Sequence, residues 1–131
     1  MLSWYADSSA ILKLLIVEKE SAALTDFIDF TIKSSALTRV EVIRVLHKIA
    51  PEKIDRAQII LAGIDLTPLN PAILSMAENF APLITLKSLD ALHIATAIFL
   101  DKSVEGVITY DKAMIKDAKE LGIKVVSPGM K

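Results

Sequence analysis

The sequence predicts an α/β fold: a three-layer sandwich in which helices cover both faces of a central, mainly parallel sheet. Strand-like and helical segments alternate along the chain, and the strand candidates LSWYA and EGVITY are each followed directly by an aspartate. Such alternation is typical of parallel sheets, whose strands are joined by crossover helices. With 131 residues, 53% of them hydrophobic, the chain fits a single domain, residues 1–131, with a well-filled core.

The first fifty residues are predicted to contain a strand and three helices. LSWYA is the strand candidate, and in DSSAILKLLIVEKE the residues Ile11, Leu14 and Leu15 follow helical spacing. A second helix is predicted over 21–33. After it, SSAL is expected to be a brief extended segment that leads into the third helix, TRVEVIRVLHKIA.

The remaining elements follow from their start and stop signals. PEKIDRAQIILAG begins with proline and ends with Gly63, which predicts a helix, and DLTPL is a short strand candidate. NPAILSMAENFAP is predicted to be a helix with Asn70 as its N-cap and Pro71 behind it. The next helix contains LDALHIATAIFL with Ser88 as its cap, and EGVITY is a strand. DKAMIKDAKELG is a helix that ends at Gly122, and IKVVSP is the final strand.

Asp90 stands out because its helix is apolar on most of its surface. Ile94, Ala97 and Ile98 cover one side, while Leu92 belongs to another hydrophobic face, so we expect the helix to be mostly buried. An ionised carboxylate in such surroundings is costly unless a cation or hydrogen-bond donors compensate its charge. Asp90 therefore needs a partner.

Four carboxylates occupy similar places in the predicted topology. Asp7 and Asp111 follow strands, whereas Glu41 and Asp90 lie in the first turns of helices. Each has a local explanation: Asp7 and Asp111 as N-caps, Asp90 as a partner of the helix dipole, and Glu41 in a capping box with Thr38. The carboxyl ends of parallel strands, however, meet at one edge of a sheet and form binding crevices there.

Three or four carboxylates at one edge would raise each other's pKa unless a cation neutralised them. Oxygen ligands suit Mg²⁺ or Mn²⁺, while the absence of cysteine and the presence of only two histidines argue against zinc. A carboxylate-held Mg²⁺ site is a common arrangement for phosphoryl chemistry. His93, three residues after Asp90, is expected to be a packed, hydrogen-bonded histidine near this site.

The overall charge leaves the partner open. A formal net charge of -1 excludes a globally basic nucleic-acid binder but not a locally basic groove, and basic residues flank the acids at Arg39, Arg44, Lys87 and Lys112. The chain has no cysteine, no secretory signal pattern and no apolar run of the roughly 18 residues that a membrane span needs. We therefore expect a soluble, cytoplasmic protein.

Four segments, in order, carry a family resemblance: YADSSAILKLL, SSALTRVEVIRVL, LKSLDALHIATA and VITYDKAMIKDAKELGIKVVSP. Together they resemble the PIN-domain ribonucleases, and most closely the VapC toxins of bacterial and archaeal toxin-antitoxin pairs. The pairing of LDALHIATA with TYD is the specific part of the match, whereas 50–82 carry no family signal.

The resemblance implies a PIN-like fold and an acidic pocket that binds Mg²⁺ or Mn²⁺ and cleaves RNA with an activated water. It implies that Asp7 and Asp90 hold the metal, that Glu41 and Asp111 complete the site directly or through water, and that two small hydroxyl residues lie beside the acids, namely Ser8 and Thr109. It also implies a homodimer and inhibition by a small VapB-like antitoxin, which the apolar composition of the chain would fit.

Three other functions stay open from the residues. The chain could be a PIN nuclease in RNA processing, or a PIN-like RNA-binding module in which the acids only cap helices. A phospho-acceptor receiver domain shares the parallel layout and an acidic Mg²⁺ site. It ranks last, because that class expects adjacent acids after the first strand, where this chain has Ala6 and Asp7.

Overall fold

A computed structural model describes residues 2–81 and 86–131. Its centre is a sheet of five strands in the order β3-β2-β1-β4-β5, and every neighbouring pair is parallel. The prediction of a mainly parallel α/β sheet is confirmed. The strands are β1 (Ser3–Ala6), β2 (Thr31–Ser35), β3 (Asp65–Thr67), β4 (Val107–Ile108) and β5 (Val125–Val126).

In the described residues, seven helices join and cover these strands. Short 3₁₀ turns follow α3 at Pro51–Lys53 and α6 at Asp101–Ser103. Within the described part of the chain, no helix is both long and apolar enough to cross a membrane. The helices are α1 (Ser8–Lys13), α2 (Ser21–Phe27), α3 (Ala36–Ile49), α4 (Ile54–Ala62), α5 (Pro71–Glu78), α6 (Ser88–Leu100) and α7 (Lys112–Glu120).

Strand β1 is buried along its whole length and separates two hydrophobic layers. Because successive side chains of a strand point to opposite faces, Trp4 and Ala6 join the core formed with α1, α3 and α4, whereas Tyr5 packs on the other side against Ala97 and Val107. A further cluster of Ile94, Met114 and Ala118 joins α6 to α7. The structure therefore has the three predicted layers, with helices on both faces of the central sheet.

The functional edge of the sheet lies where β1 and β4 are neighbours. From β1 the chain builds β2 and β3 to one side, and later adds β4 and β5 to the other. Parallel sheets open a crevice where the strand order reverses in this way. Asp7 directly follows β1, and Thr109 directly follows β4, so both residues lie at this crevice.

Residues 21–33 differ most from the helix predicted for them. The helix predicted there ends at Phe27, and Thr31 begins strand β2, which pairs with β1 on one side and β3 on the other. Of the extended segment expected at SSAL, Ala36 and Leu37 already belong to helix α3, whereas Ser34 and Ser35 end this strand. Sheet pairing stabilises these residues as a strand, although their local pattern did not distinguish strand from helix.

Two helix ends also differ from the prediction. Helix α1 ends at Lys13, well before the end of the predicted segment. Helix α6 starts at Ser88 itself, and Lys87, not Ser88, occupies its N-cap position without a side-chain capping bond. In contrast, Asn70 caps α5 as predicted, through its side-chain oxygen and the N–H of Ile73. The α5 prediction extended to Pro82, which lies outside the described residues.

The capping box predicted for Thr38 and Glu41 is wrong. Helix α3 begins earlier, at Ala36, and the hydroxyl of Ser35 caps it by accepting from the N–H of Leu37. The Thr38 hydroxyl instead bonds to that of Ser34, 2.6 Å away. Glu41 is therefore in the second turn of α3, where its carboxylate is free to serve another contact.

Candidate active site

Asp7 is held by hydrogen bonds on both carboxylate oxygens. It is buried, at 2% exposure, and caps helix α1. Its Oδ1 accepts from the Ser9 hydroxyl at 2.6 Å and from the N–H of Ala10 at 3.1 Å, and its Oδ2 accepts from the Thr109 hydroxyl at 2.6 Å. Burial raises the pKa of Asp7, and the bonds from Ser9 and Thr109 oppose that rise. Its carboxylate is thus oriented by donors from the start of α1 and from the residue after β4.

Thr109 connects the loop after β1 with the loop after β4. Its hydroxyl donates to Asp7 and also accepts from the backbone N–H of Asp111 at 3.1 Å. Ser9 adds a second connection by accepting from the N–H of Tyr110 at 3.0 Å. The serine beside Asp7 is therefore Ser9, one position after the Ser8 that the resemblance implied, whereas Thr109 does lie beside an acid.

Asp111 and Asp90 belong to the first turns of the two helices on the same side of the sheet. Asp111 is the N-cap of α7, and its Oδ1 accepts from the N–H of Met114 at 3.1 Å. Asp90 lies in the first turn of α6 and is partly buried. Burial and then the charge of Asp111 raise the pKa of Asp90 to about 6. His93 opposes this rise, and Asp7 and Glu41 raise the pKa further by smaller amounts.

The raised pKa of Asp90 indicates that the other three acids lie within electrostatic range of it. Other carboxylates raise the pKa of a carboxylate only when they lie close to it. The four acids lie far apart in sequence, yet the charges of Asp7, Glu41 and Asp111 all raise the pKa of Asp90. The topology therefore brings together the acids that the sequence singled out.

Glu41 reaches this region from α3 and is bound by a histidine. Its Oε1 lies 2.6 Å from Nε2 of His93, and Nδ1 of the same ring lies 2.6 Å from the Tyr5 hydroxyl. Both Tyr5 and His93 are buried, whereas Glu41 is partly exposed. The prediction of a packed, hydrogen-bonded His93 agrees with this geometry.

The donor set fits a hydrated divalent cation. In the portions of the chain that the structure describes, no three His, Asp or Glu side chains are arranged to hold a metal ion together. Mg²⁺ does not need such a cage, because it keeps several waters and is commonly bound by one or two carboxylates. Asp90 offers a partly exposed oxygen ligand, and the charge of Asp7 acts on it.

Sequence reasoning missed Ser9 and Tyr5 as parts of this site. Asp-x-Ser at a helix start is the local signal for Ser9, since a hydroxyl two residues after an N-cap aspartate can reach its carboxylate. Tyr5 gave no local signal, because its contact with His93 spans 88 residues of sequence. Only the packing of α6 on β1 creates it.

Comparison with known proteins agrees with this architecture. A PIN domain family model matches residues 4–121. Ribonuclease VapC47 of Mycobacterium tuberculosis is 35% identical to this chain, with 95% of this chain and 96% of the relative covered. Ribonuclease VapC46 of the same organism is 38% identical, with coverage of 98% and 99%.

Two solved structures share the fold. A toxin-antitoxin complex from Klebsiella pneumoniae superposes with a TM-score of 0.76 at 21% identity, covering 95% of this chain and 97% of the other. VapC20 of Mycobacterium tuberculosis, described as a toxin that cleaves the sarcin-ricin loop, superposes with a TM-score of 0.72 at 13% identity, covering 95% and 98%. The family model matches most of the chain, and the VapC relatives are similar over nearly their whole length, so the chain belongs to the PIN domain family and, within it, to the VapC proteins.

Proposed function

We propose that this protein is a metal-dependent endoribonuclease and the toxin of a toxin-antitoxin pair. The observation that carries the proposal is Asp90, whose pKa is raised to about 6 by burial and by the neighbouring acids, at the carboxyl edge of the sheet. A site that concentrates uncompensated negative charge in this way is suited to a divalent cation. Relatives named as ribonucleases supply the class of substrate.

Asp7 and Asp90 would hold the cation, and Glu41 and Asp111 would complete the site directly or through water. A bound Mg²⁺ or Mn²⁺ supplies a polarised phosphate and a water of lowered pKa. The chain itself contributes orientation: Ser9 and Thr109 hold the Asp7 carboxylate, and the start of α7 holds Asp111.

Basic residues on α3 are placed to contact the phosphates of an RNA substrate. Arg44 and Lys48 follow Glu41 by three and seven residues, which puts all three on one stripe of the helix. Both cations are exposed, and with His47 they line an open cavity of about 400 Å³. Phosphate contacts of this kind supply affinity without sequence preference.

A VapB-like antitoxin and a second copy of the chain are the proposed partners. Large apolar side chains are exposed on the layer of α1, α3 and α4, where Val17 is 88% and Ile59 is 75% exposed, with Val40 and Ile49 more than half exposed. Surfaces of this kind are commonly covered by partners. The toxin-antitoxin complex with the same fold supports an antitoxin as a partner. The expected place of action is the cytoplasm, where cellular RNA is available.

The test is cleavage of a total RNA pool with Mg²⁺, with Mn²⁺ and with EDTA, using protein free of any copurified antitoxin. Asp90→Asn is the test variant. Asp101→Asn is its matched control, because Asp101 is an exposed acid at the opposite end of α6, about 17 Å away at the helical rise per residue. We expect discrete fragments that need metal, vanish in Asp90→Asn and persist in Asp101→Asn.

Other outcomes would select the alternatives. RNA that is bound but left intact by the wild type would indicate a non-catalytic RNA-binding module. Cleavage that persists in EDTA and in Asp90→Asn would exclude the proposed site. A role in RNA processing is distinguished from a toxin by expression in a host: growth arrest that a neighbouring antitoxin relieves supports the toxin.

A further inference from the structure

A continuous line of three side chains leads from the sheet to the candidate active site. Tyr5 belongs to β1, His93 to α6 and Glu41 to α3. The distances are 2.6 Å from the Tyr5 hydroxyl to Nδ1 of His93, and 2.6 Å from Nε2 of His93 to Oε1 of Glu41. The imidazole thus connects a fully buried hydroxyl with a partly exposed carboxylate.

With Glu41 ionised and His93 neutral, the chemistry of the three groups determines the direction of both bonds. An ionised carboxylate accepts hydrogen bonds and donates none, so Nε2 of His93 must carry the proton that it shares with Glu41. In a neutral imidazole the other nitrogen is then an acceptor. The Tyr5 hydroxyl is therefore the donor to Nδ1, and a single tautomer of His93 satisfies both neighbours.

The surroundings of the ring keep it in this place. His93 is 1% exposed, Tyr5 is completely buried, and the two rings meet edge to face with their centres 5.9 Å apart. A flip of the imidazole would put the carbon positions of the ring against the hydroxyl and the carboxylate, leaving buried polar groups without partners. The ring thus has one favourable orientation.

We infer that His93 is a positioning residue for catalysis, which holds the Glu41 carboxylate in the active site through Nε2–H while Tyr5 fixes the ring. This inference rests on the proposed ribonuclease function. The bond from His93 fixes the orientation of the Glu41 side chain on an otherwise exposed face of α3. Glu41 therefore need not lose side-chain freedom when substrate binds. His93 itself touches neither the RNA nor the reacting phosphate.

The first experiment determines the tautomer without any catalysis. Nitrogen-15 NMR of the imidazole nitrogens in the metal-free protein separates protonated from unprotonated nitrogens. We expect the proton of His93 on Nε2 and an unprotonated Nδ1, with the Nδ1 resonance shifted when Tyr5→Phe removes the donor. A ring that carries its proton on Nδ1, or on both nitrogens, would overturn the assignment of Tyr5 as donor.

The second experiment compares two conservative variants of His93. In His93→Gln the side-chain amide nitrogen can take the place of Nε2 and still donate to Glu41, whereas His93→Asn is too short to reach it. Loss of a group that orients a metal-site carboxylate commonly costs 10- to 100-fold in metal affinity or activity, so we expect about that loss in His93→Asn and about threefold in His93→Gln. Mn²⁺ affinity, measured by electron paramagnetic resonance, should follow the same order.

Thermal unfolding separates positioning from a merely structural role. If His93 only filled space, activity would fall in step with the unfolding temperature, and the glutamine and asparagine variants would lose activity alike. That result would overturn the inference, as would equal Mn²⁺ affinities. Should the asparagine variant fail to fold, the Tyr5→Phe protein takes its place, with an expected loss smaller than tenfold because it removes the fixing bond alone.

The failure of the proposed function would look different. A wild-type protein that cleaves no RNA would contradict the ribonuclease, yet the tautomer and the Mn²⁺ affinities would still decide whether His93 positions Glu41.

Discussion

The Thr109 hydroxyl donates to Oδ2 of Asp7 over 2.6 Å, although 102 residues separate the two in sequence. Thr109 directly follows β4 and Asp7 directly follows β1, so the bond joins the ends of these two neighbouring strands at the point where the strand order reverses. Its partner bond, from the N–H of Asp111 to the same hydroxyl, extends the link to a second acid. One side chain therefore sets the relative position of two carboxylates.

Replacement of Asp7 by Asn should abolish cleavage and preserve the fold. Asn is as good an N-cap as Asp and can keep the bond to the N–H of Ala10, but it lacks the charge that a metal ligand needs. Because metal catalysis is worth several kcal/mol, we expect the cleavage rate to fall about a hundredfold or more. Cleavage of a defined RNA and circular dichroism would check both parts. A near wild-type rate would contradict the metal site.

Replacement of Thr109 by Val should destabilise the protein and weaken its activity. Valine has a similar shape but leaves a buried oxygen of Asp7 without a donor and the N–H of Asp111 without an acceptor. The expected loss is about 1–3 kcal/mol in the free energy of unfolding, measured by urea denaturation. Thr109→Ser keeps the hydroxyl and is the control. Equal losses in both variants would show that the methyl group, not the hydroxyl, is what matters.

The acids at strand ends were predictable because local sequence determines their position. Asp7 directly follows β1, Asp111 lies three residues after the end of β4, and each caps the following helix through a bond that is present in the structure. The same short pattern of strand, acid and helix therefore encodes a helix start and a place at the sheet edge. Asp90 was predictable for a different reason, namely that a charge in an apolar helix demands compensation.

The remaining parts depend on contacts that are distant in sequence. Strand β2 is determined by partners on β1 and β3, which lie about 30 residues away in either direction. The spacing of Thr38 and Glu41 fits a capping box, yet Ser35 starts the helix three residues earlier and leaves Glu41 for His93. In both cases tertiary contacts override a local preference that is worth little free energy.

Replacement of Gly106 by Ala should destabilise the sheet. A Cβ atom there would lie 2.5 Å from the carbonyl oxygen of Lys124 and 2.9 Å from the ring of Trp4, so backbone or ring must move. Such overpacking commonly costs about 1–3 kcal/mol. Gly63→Ala is the control, because its Cβ would meet only an ordinary contact, 3.5 Å from the carbonyl oxygen of Ile60.

Urea denaturation of both glycine variants gives the comparison. Gly63→Ala should change the free energy of unfolding by no more than about 0.5 kcal/mol, or raise it, because alanine reduces the freedom of the unfolded chain. A Gly106→Ala protein as stable as the wild type would mean that β5 can shift away from β4 without loss.

Replacement of Arg44 by Ala should weaken RNA binding more than it slows cleavage. Arg44 lies one turn from Glu41 on an exposed stripe of α3, so its loss removes a phosphate contact and leaves the acids in place. We expect a several-fold rise in KM, and a slope of binding against salt concentration that is smaller by about one. Lys102→Ala, beyond the far end of α6, should change neither quantity. If Arg44→Ala lowers kcat with KM unchanged, the arginine acts on the reacting phosphate.

Replacement of Asp90 by Asn should stabilise the metal-free protein at neutral pH. The pKa of Asp90 is about 6 in the folded protein, because of burial and the charge of Asp111, against an ordinary value of 3.8. A raised carboxyl pKa means that the folded state binds the proton more tightly than the unfolded state. The cost of the charge is therefore complete above pH 6, shrinks as the pH falls through 6 and is gone below about 4.

The difference in stability between Asp90→Asn and wild type should follow the same pH range. At pH 7.5 in EDTA we expect the variant to be more stable by about 1 kcal/mol, a value reduced for the partial exposure of the side chain. Near pH 4.5 most of this advantage should be lost, because the wild-type carboxyl is then largely protonated.

Mn²⁺ at neutral pH should reverse the order of stability of the two proteins, since a ligand that binds only the folded state stabilises it and the variant lacks a metal ligand. Denaturation curves at the two pH values, with EDTA and with Mn²⁺, give all four comparisons. An advantage of the variant that is the same at both pH values would show that Asp90 is not the group that titrates, and an unchanged order in Mn²⁺ would remove it from the metal site.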